Sequence, residues 1–228
     1  MQEKLLANYS SDIRPIRNQS EAMNISLSCT IEGVTDVNDV LQTVSLSIVL
    51  KLMWIDELLQ WDRDDYGIEY ITIPDSRRWT PKLMTLNSMN KRSIFSDETH
   101  PYLMSYEGKA EWLPATYFTI YCQLDMTNFP FDEQTCEFYI LPIDFQTDQL
   151  TLYFENQPDL KILQENGEWD VVRLEGEELS SKSLSRQRLV VTITLKRRST
   201  FMLLNVFLPV IVLSFLNVAV FVVPTNSG

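Results

Sequence analysis

The residues best placed for covalent chemistry in this 228-residue chain are Cys122 and Cys136. They enclose thirteen residues, with the apolar turn Phe129-Pro130-Phe131-Asp132 between them. A disulfide across that spacing would close a short loop and remove about 3 kcal/mol of unfolded-state entropy. The spacing alone fits a plain hairpin staple in a secreted domain equally well. The Phe-Pro-Phe-Asp tip is more specific, because two Phe at a loop apex are costly to leave in water. It points to docking on something apolar, such as a membrane-embedded segment. Pairing these two cysteines leaves Cys29 over, and it is expected to be free and buried in a strand. Asn-x-Ser sequons at Asn8, Asn18 and Asn24 fall within seventeen residues. Beside a cysteine pair they favour an extracellular compartment.

Other chemistries have little to build on. His100 is the sole histidine and has no metal-ligand spacing around it. No G-x-S-x-G elbow or phosphate-binding Gly loop occurs, and six glycines leave little for such loops. Neither an enzyme, a metal site nor a cofactor is expected. Lys and Arg total 19 against 31 Asp and Glu, a net charge of -12. That argues against a nucleic-acid partner, which wants clustered basic residues. An acidic surface concentrates cations instead, although solubility alone would also account for it. The amino terminus, Met1-Gln2-Glu3-Lys4, is polar and carries no apolar signal core.

The elements that must position these residues follow from periodicity. Leu5, Leu6 and Tyr9 lie at helical spacing and predict a short helix within 2–11. Ile25, Leu27, Cys29 and Ile31 alternate with polar residues, as do Val44, Leu46, Ile48, Leu50 and Leu52; each run predicts a half-buried strand. Gly33 to Asp39 is expected to be the turn between them. Trp54 and Trp61, seven apart, are expected as core anchors rather than a ligand platform. Further strands are predicted at 102–106, 116–124, 137–141, 149–154, after Trp169 and over 189–195, with Gly176 to Ser185 as a polar loop. Ten or so short strands joined by turns indicate a β-sandwich. The composition then breaks. Phe201 to Val223 is 23 residues without a charge, long enough at 1.5 Å per residue to cross about 30 Å of hydrocarbon. Pro209 inside it is tolerated in membrane helices. Lys196, Arg197 and Arg198 precede it, suited to lipid headgroups. On the extracellular side they run against the positive-inside tendency, which points to a function at that junction. The expected fold class is mainly β: an extracellular β-sandwich (1–198) with a short N-terminal helix, then a transmembrane α-helix (199–224) and the start of a linker (225–228).

The stretch Cys122–Cys136 with its Phe-Pro-Phe-Asp tip resembles the signature loop of the Cys-loop receptors, the pentameric ligand-gated ion channels, and most closely their nicotinic branch. Trp54-x-Asp56-x-x-Leu59-x-Trp61 is similar to that family's W-x-D-x-x-L-x-W element, with all four positions present. Ile73-Pro74 and Trp79-Thr80-Pro81 resemble its I-P…W-x-P segment, although Lys82 stands where Asp is usual. Asn166-Gly167-Glu168-Trp169-Asp170 also matches nicotinic subunits. The likeness covers nearly the whole chain up to the turn after the first membrane helix. Three more membrane helices follow in the family, so the sequence looks like part of a longer receptor.

The resemblance implies an agonist site at a subunit interface, where rings hold an amine by cation–π attraction. Here Leu86, Ile143 and Val49 stand at three of those aromatic positions. The expected ligand-binding set is Val49, Leu86, Leu103, Glu111, Trp112, Leu113, Ile143, Asp144 and Lys182. Tyr106 and Phe145 could add aromatic contact. The capping loop, Glu177 to Ser185, lacks its adjacent cysteines and tyrosines. Such a pocket favours an apolar ligand over acetylcholine and resembles the chemotactile receptors of cephalopods. The resemblance implies gating coupling through Asp39, Phe129, Pro130, Phe131, Asp132 and Arg197, with an Arg197–Asp39 pair joined by Asp132. It implies four further subunits, as a homopentamer or heteropentamer, a small-molecule agonist and a lipid bilayer as partners. The expected location is the plasma membrane of a postsynaptic or sensory cell. A divergent nicotinic-type or accessory subunit, gated by a small amine or lacking its own ligand site, is the alternative.

Overall fold

A computed structural model describes all residues except 1, 8, 74–76, 91–92, 95–101, 162–165, 182–185 and 223–228. Pro74, His100, Asn8, Lys182 and the expected linker 225–228 lie outside the described residues.

The long apolar alternations become the two longest neighbouring strands, β1 (Met23–Asn38) and β2 (Thr43–Ile55), which pair antiparallel. Ile25, Leu27, Cys29 and Ile31 of β1 and Val44, Leu46, Ile48, Leu50 and Leu52 of β2 all point into the core. The turn between them is 39–42, not 33–39. Two bulges in β1, after Ile31 and after Val34, shift the phase of its alternation and hide the strand's continuation from a periodicity test. The N-terminal helix α1 is also shorter than expected, Gln2–Leu5, although Leu6 is buried against the core.

The larger sheet adds β3 (Tyr70–Ile73), β5 (Tyr102–Ser105), β6 (Lys109–Trp112), β7 (Ala115–Tyr121), β9 (Leu150–Phe154) and β10 (Asp159–Leu160), joined through β1 and β2. A one-turn helix, α2 (Arg63–Tyr66), lies between β2 and β3. The second sheet runs β11 (Trp169–Ser181), β12 (Arg186–Arg197), β8 (Glu133–Pro142) and β4 (Leu83–Thr85), in that order. The polar stretch from Gly176 is therefore strand as far as Ser181. It is an edge strand hydrogen-bonded to β12, and it lacks the apolar alternation of a strand with one buried face.

Between the sheets lies a single apolar core that takes in Phe118, Phe138, Ile140, Leu189, Val191, Ile193 and Leu195. Trp54 and Trp61 are core residues, as expected; Trp54 meets Trp79 and Tyr102 edge-on at 5.7 and 5.3 Å. The Trp54–Trp61 element is tied by Asp56, which is buried at the end of β2. Its carboxylate accepts the amides of Leu58 and Leu59 and the hydroxyl of Tyr9. Gly108 closes over this turn at φ +84°, where a Cβ would strike the Asp56 carbonyl.

After Arg197 the chain leaves the sandwich as a helix. It has an opening turn α3 (Ser199–Met202), a widened π-type turn (Leu203–Phe207) and α4 (Leu208–Val222). Pro209 lacks the N–H that would bond the carbonyl one α-turn earlier, and the widened turn lies where that ladder is interrupted. Ser199–Phe221 carries a strongly apolar stretch, none of which is buried in the chain. It is long and apolar enough to cross a membrane, and its exposed Leu, Val and Phe need covering by lipid or other apolar segments.

Candidate functional site: the base loop and the two ligand faces

The cysteine loop closes as the spacing allowed. β7 ends at Tyr121, and Cys122 is bonded to Cys136 inside β8. Cys29 is free and fully buried, and burial pushes its thiol up to about 12, so it is an inert core residue. The loop projects toward the helix: the rings of Phe129 and Phe207 lie 6.5 Å apart. Pro130 is buried and Phe131 is 64% exposed.

Behind the tip is a buried ion pair. Arg197 donates from Nε and Nη2 to the two carboxylate oxygens of Asp132, at 2.8 and 3.1 Å. Gln134 donates to the same carboxylate at 2.7 Å, and the Arg197 amide bonds the Asp132 carbonyl at 3.1 Å. Both side chains are almost completely buried. Burial pushes the Asp132 carboxyl up; the hydrogen bonds from Arg197 and Gln134 and the Arg197 charge outweigh that and hold it below the usual carboxylate value. The guanidinium is sandwiched between rings, 4.2 Å from the centre of Trp169 and 5.0 Å from that of Phe129. A single cationic group thus links the end of β12, the start of β11, the cysteine loop and, through Phe129, the helix.

This corrects the expected Arg197–Asp39 pair. The β8–β12 ladder sets Lys196 opposite Glu133, so the next residue, Arg197, falls against Asp132. Asp39 sits exposed in the β1–β2 turn, on the other sheet. The basic run also differs from expectation. Each of its members meets a carboxylate of the sandwich: Lys196 with Glu133 at 2.9 Å, Arg197 with Asp132, and Arg198 with Asp170 at 2.8 Å. Sequence reasoning missed Gln134 and the ring of Trp169 as members of this cluster. The hairpin register Trp169↔Arg197 is the signal that finds the latter.

The expected ligand residues fall into two groups on different sheets. Leu86, just past β4, is 46% exposed, and its amide reaches the Tyr139 carbonyl of β8. Ile143 follows β8, half-buried, bonded through its amide to the Lys82 carbonyl at 2.9 Å. Asp144 beside it pairs with Lys82 at 3.0 Å. The other group is on the larger sheet: half-buried Val49 on β2, exposed Leu103 on β5, Glu111 on β6 opposite Leu103 and paired with Lys51 at 3.3 Å, and exposed Leu113. Leu103 and Glu111 help line a cleft of about 310 Å³ with Tyr70, Tyr106 and Lys109. Trp112 is not available to a ligand. It is 2% exposed in the core, with Arg78 stacked over its ring at 5.4 Å. Phe145 is packed against Trp79 at 6.4 Å, and Tyr106 donates its hydroxyl to Glu107. Within one chain the structure does not bring the two groups together. Among the sequons, Asn18 and Asn24 are exposed.

A two-sheet β-sandwich, a disulfide loop seated on an apolar helix and a charged cluster at their junction define the binding-domain class of ligand-gated channels. The family model of the neurotransmitter-gated ion-channel ligand-binding domain matches residues 1–199, and the chain belongs to that family, one of receptors rather than enzymes. The neuronal acetylcholine receptor subunit alpha-5 of Homo sapiens is 30% identical over 228 residues, 98% of this chain and 48% of that protein. The Bos taurus alpha-5 subunit is 29% identical over the same shares. The Bos taurus alpha-3 subunit is 28% identical over 232 residues, 99% of this chain and 47% of that protein. The chain spans about half the length of the curated relatives it matches.

Proposed function

We propose that the chain is the extracellular ligand-binding domain and first membrane helix of a nicotinic-type, cation-selective ligand-gated channel subunit at the plasma membrane, one of five in a homopentamer or heteropentamer. The observation that carries this reading is the base cluster. Arg197, Asp132, Trp169 and Phe129 join the sandwich to a helix of membrane-crossing length, which is what transmission of a ligand signal to a pore requires. The division of the ligand residues between two sheets supports a site completed by a neighbouring subunit, with Leu86, Ile143 and Asp144 on one side and Val49, Leu103, Glu111 and Leu113 on the other.

The agonist is apolar or poorly soluble, as in chemotactile receptors, and acetylcholine is not the agonist. Val49, Leu86 and Ile143 offer no ring face to an ammonium. Burial of ~150–200 Å² of apolar surface on such residues contributes several kcal/mol at about 25 cal/mol per Å². The competing assignment is an accessory subunit without a ligand of its own. Its support is that Val49, Leu86 and Ile143 stand where the resemblance implies aromatic residues, so the ring cage for an amine is missing.

The test is expression of the full-length subunit with current recording against amines, terpenoids and steroids. An apolar agonist should open the channel and acetylcholine should not. Ile143→Glu should abolish the apolar response at unchanged surface expression. A robust acetylcholine current, or an agonist response indifferent to Ile143, overturns the ligand assignment. Failure of the chain to assemble or conduct when expressed alone favours the accessory subunit.

A further inference from the structure

The outward row of residues shared by β8 and β12 ends in an anomaly. At the lower end the polar side chains have cross-strand partners: Lys196 meets Glu133 at 2.9 Å, and the Thr194 and Thr135 hydroxyls lie 3.4 Å apart. Arg188, at the upper end, is different. Its guanidinium carbon stands 5.4 Å from the centre of the Tyr139 ring, and its Nε is buried without a hydrogen-bond partner. Among the described residues no carboxylate pairs with it. The carboxylate of Glu137, two residues before Tyr139, is engaged by the Tyr139 hydroxyl at 2.6 Å. Glu177 is opposite Val190, one outward position below Leu179↔Arg188, and forms no ion pair with Arg188.

On the β4 side of this cation the neighbours are apolar, whereas the exposed carboxylates of Glu137 and Glu177 lie on its other sides. Leu141, next along β8, is paired with Met84 of β4, and the Leu86 amide reaches the Tyr139 carbonyl. Leu86 is one of the three residues that replaced the aromatic cage. The ring of Tyr139 could have faced a ligand ammonium, but the chain's own guanidinium already occupies it. An incoming cation would meet like charge there. An incoming oxyanion would meet a planar donor array whose geometry matches it and which lacks an internal carboxylate. The net charge of -12 does not forbid this, because charges beyond about 8 Å are largely screened at physiological salt.

We propose that Arg188 is the polar anchor of the agonist site, and that the site selects an apolar ligand carrying an oxyanion, such as a carboxylate. The inference rests on the apolar-ligand reading above and adds the sign of the ligand's charge, the reverse of an ammonium.

The experiment uses full-length receptor in lipid nanodiscs and three matched probes: 3-phenylpropionate, 3-phenylpropanol and 3-phenylpropylamine. Saturable binding is measured for wild type, Arg188→Gln and Arg188→Lys. The acid should bind about tenfold tighter than the alcohol, the gain of one charge-assisted contact, and the amine weakest. Arg188→Gln should lower acid binding to the level of the alcohol without changing the alcohol, and Arg188→Lys should retain part of the preference. Equal acid and alcohol affinities, or an amine that binds tightest, overturn the role of Arg188 while leaving an apolar site intact. Absence of saturable binding by all three, with acetylcholine binding instead, overturns the apolar site itself. Should Arg188→Gln fail to reach the membrane, the wild-type ranking of acid over alcohol still decides.

Discussion

The base of the sandwich and its ligand faces have opposite characters. At the base, Arg197 and Asp132 are buried, bidentate and enclosed by Trp169 and Phe129. On the ligand faces, Leu86, Leu103 and Leu113 are exposed and apolar, and the ion pairs nearby, Lys82–Asp144 and Lys51–Glu111, are open to solvent. A buried charge pair does not tolerate the loss of one partner alone, because that strands the other in low dielectric. An exposed apolar face imposes no such penalty, and its residue types can follow whatever ligand is present. The proposed coupling cluster is thus held by folding itself, whereas the proposed ligand faces are free to change.

The strongest test of that contrast is to break the base. Arg197→Ala leaves Asp132 buried without its cation and should cost about 3–5 kcal/mol, read as a large drop in thermal unfolding temperature. Arg197→Glu should abolish current while any receptor that reaches the surface keeps its ligand binding. The exchange Arg197→Asp with Asp132→Arg should recover part of both. Asp39→Arg should not rescue Arg197→Glu, and a rescue there would restore the turn as the true partner. Removing the loop's covalent closure is next in size. Cys122→Ser with Cys136→Ser should cost about 3 kcal/mol for a loop of this length. Peptide mapping of the alkylated native protein should find Cys29 free and Cys122 joined to Cys136, and all three found free would end the assignment.

The same contrast governs what could be read from the residues alone. Strands with one buried face were legible because alternation repeats, as in Val44 to Leu52. The stretch after Gly33 was not, because two bulges reset the phase, and Gly176 to Ser181 was not, because an edge strand can be polar throughout. At the base Asp132 was expected to join Arg197, as it does, but Asp39 was wrongly taken as the direct partner. Charge complementarity proposes partners, whereas the β8–β12 register decides between Asp39 and Asp132. Trp112 showed the same limit from the other side: its ring was visible in the sequence, but its burial beneath Arg78 was not. Arg188 gave no signal, since only the fold sets it on the ring of Tyr139.

A buried carboxylate without a cation sharpens the comparison further. Among the described residues, Asp56, at the far end of β2 from the base, is held by Tyr9 and the Leu58 and Leu59 amides. Burial pushes its carboxyl up to about 6, above the unfolded value of about 3.9. The folded state therefore holds an extra proton in the interval between these values, and stability falls as pH rises from about 4 to about 6. Asp132 has the opposite sign. Its folded value is depressed, so its contribution is present above the unfolded value and is lost as pH falls through the folded one. Asp56→Asn preserves the acceptor for the two amides and should remove a slope on the order of 2 kcal/mol across pH 4 to 6. Urea unfolding at stepped pH measures it. A slope unchanged in the variant would show that another group titrates.

The smallest expected effect probes the freedom of the ligand faces directly. If those faces carry no folding burden, aromatic residues can be put back where Leu86, Ile143 and Val49 stand. Leu86→Tyr and Ile143→Trp act on the β4–β8 side, and Val49→Trp acts on β2. Leu86 is exposed, so a Tyr ring there should add about 0.5–1 kcal/mol of ammonium binding, and a ring at the half-buried Ile143 or Val49 up to about 2. Unfolding temperature should barely move in the Leu86 variant and only slightly in the other two, because none of the three side chains is fully buried. The combined variant should gain saturable acetylcholine binding and lose response to apolar agonists. Binding of labelled acetylcholine to the full-length receptor, with unfolding followed in parallel, separates the two halves of the claim. Loss of stability comparable to Arg197→Ala would show that the ligand faces are as constrained as the base. Retained stability without acetylcholine binding would show that ring faces alone do not make the site, and that the cation already seated on Tyr139 opposes an ammonium there.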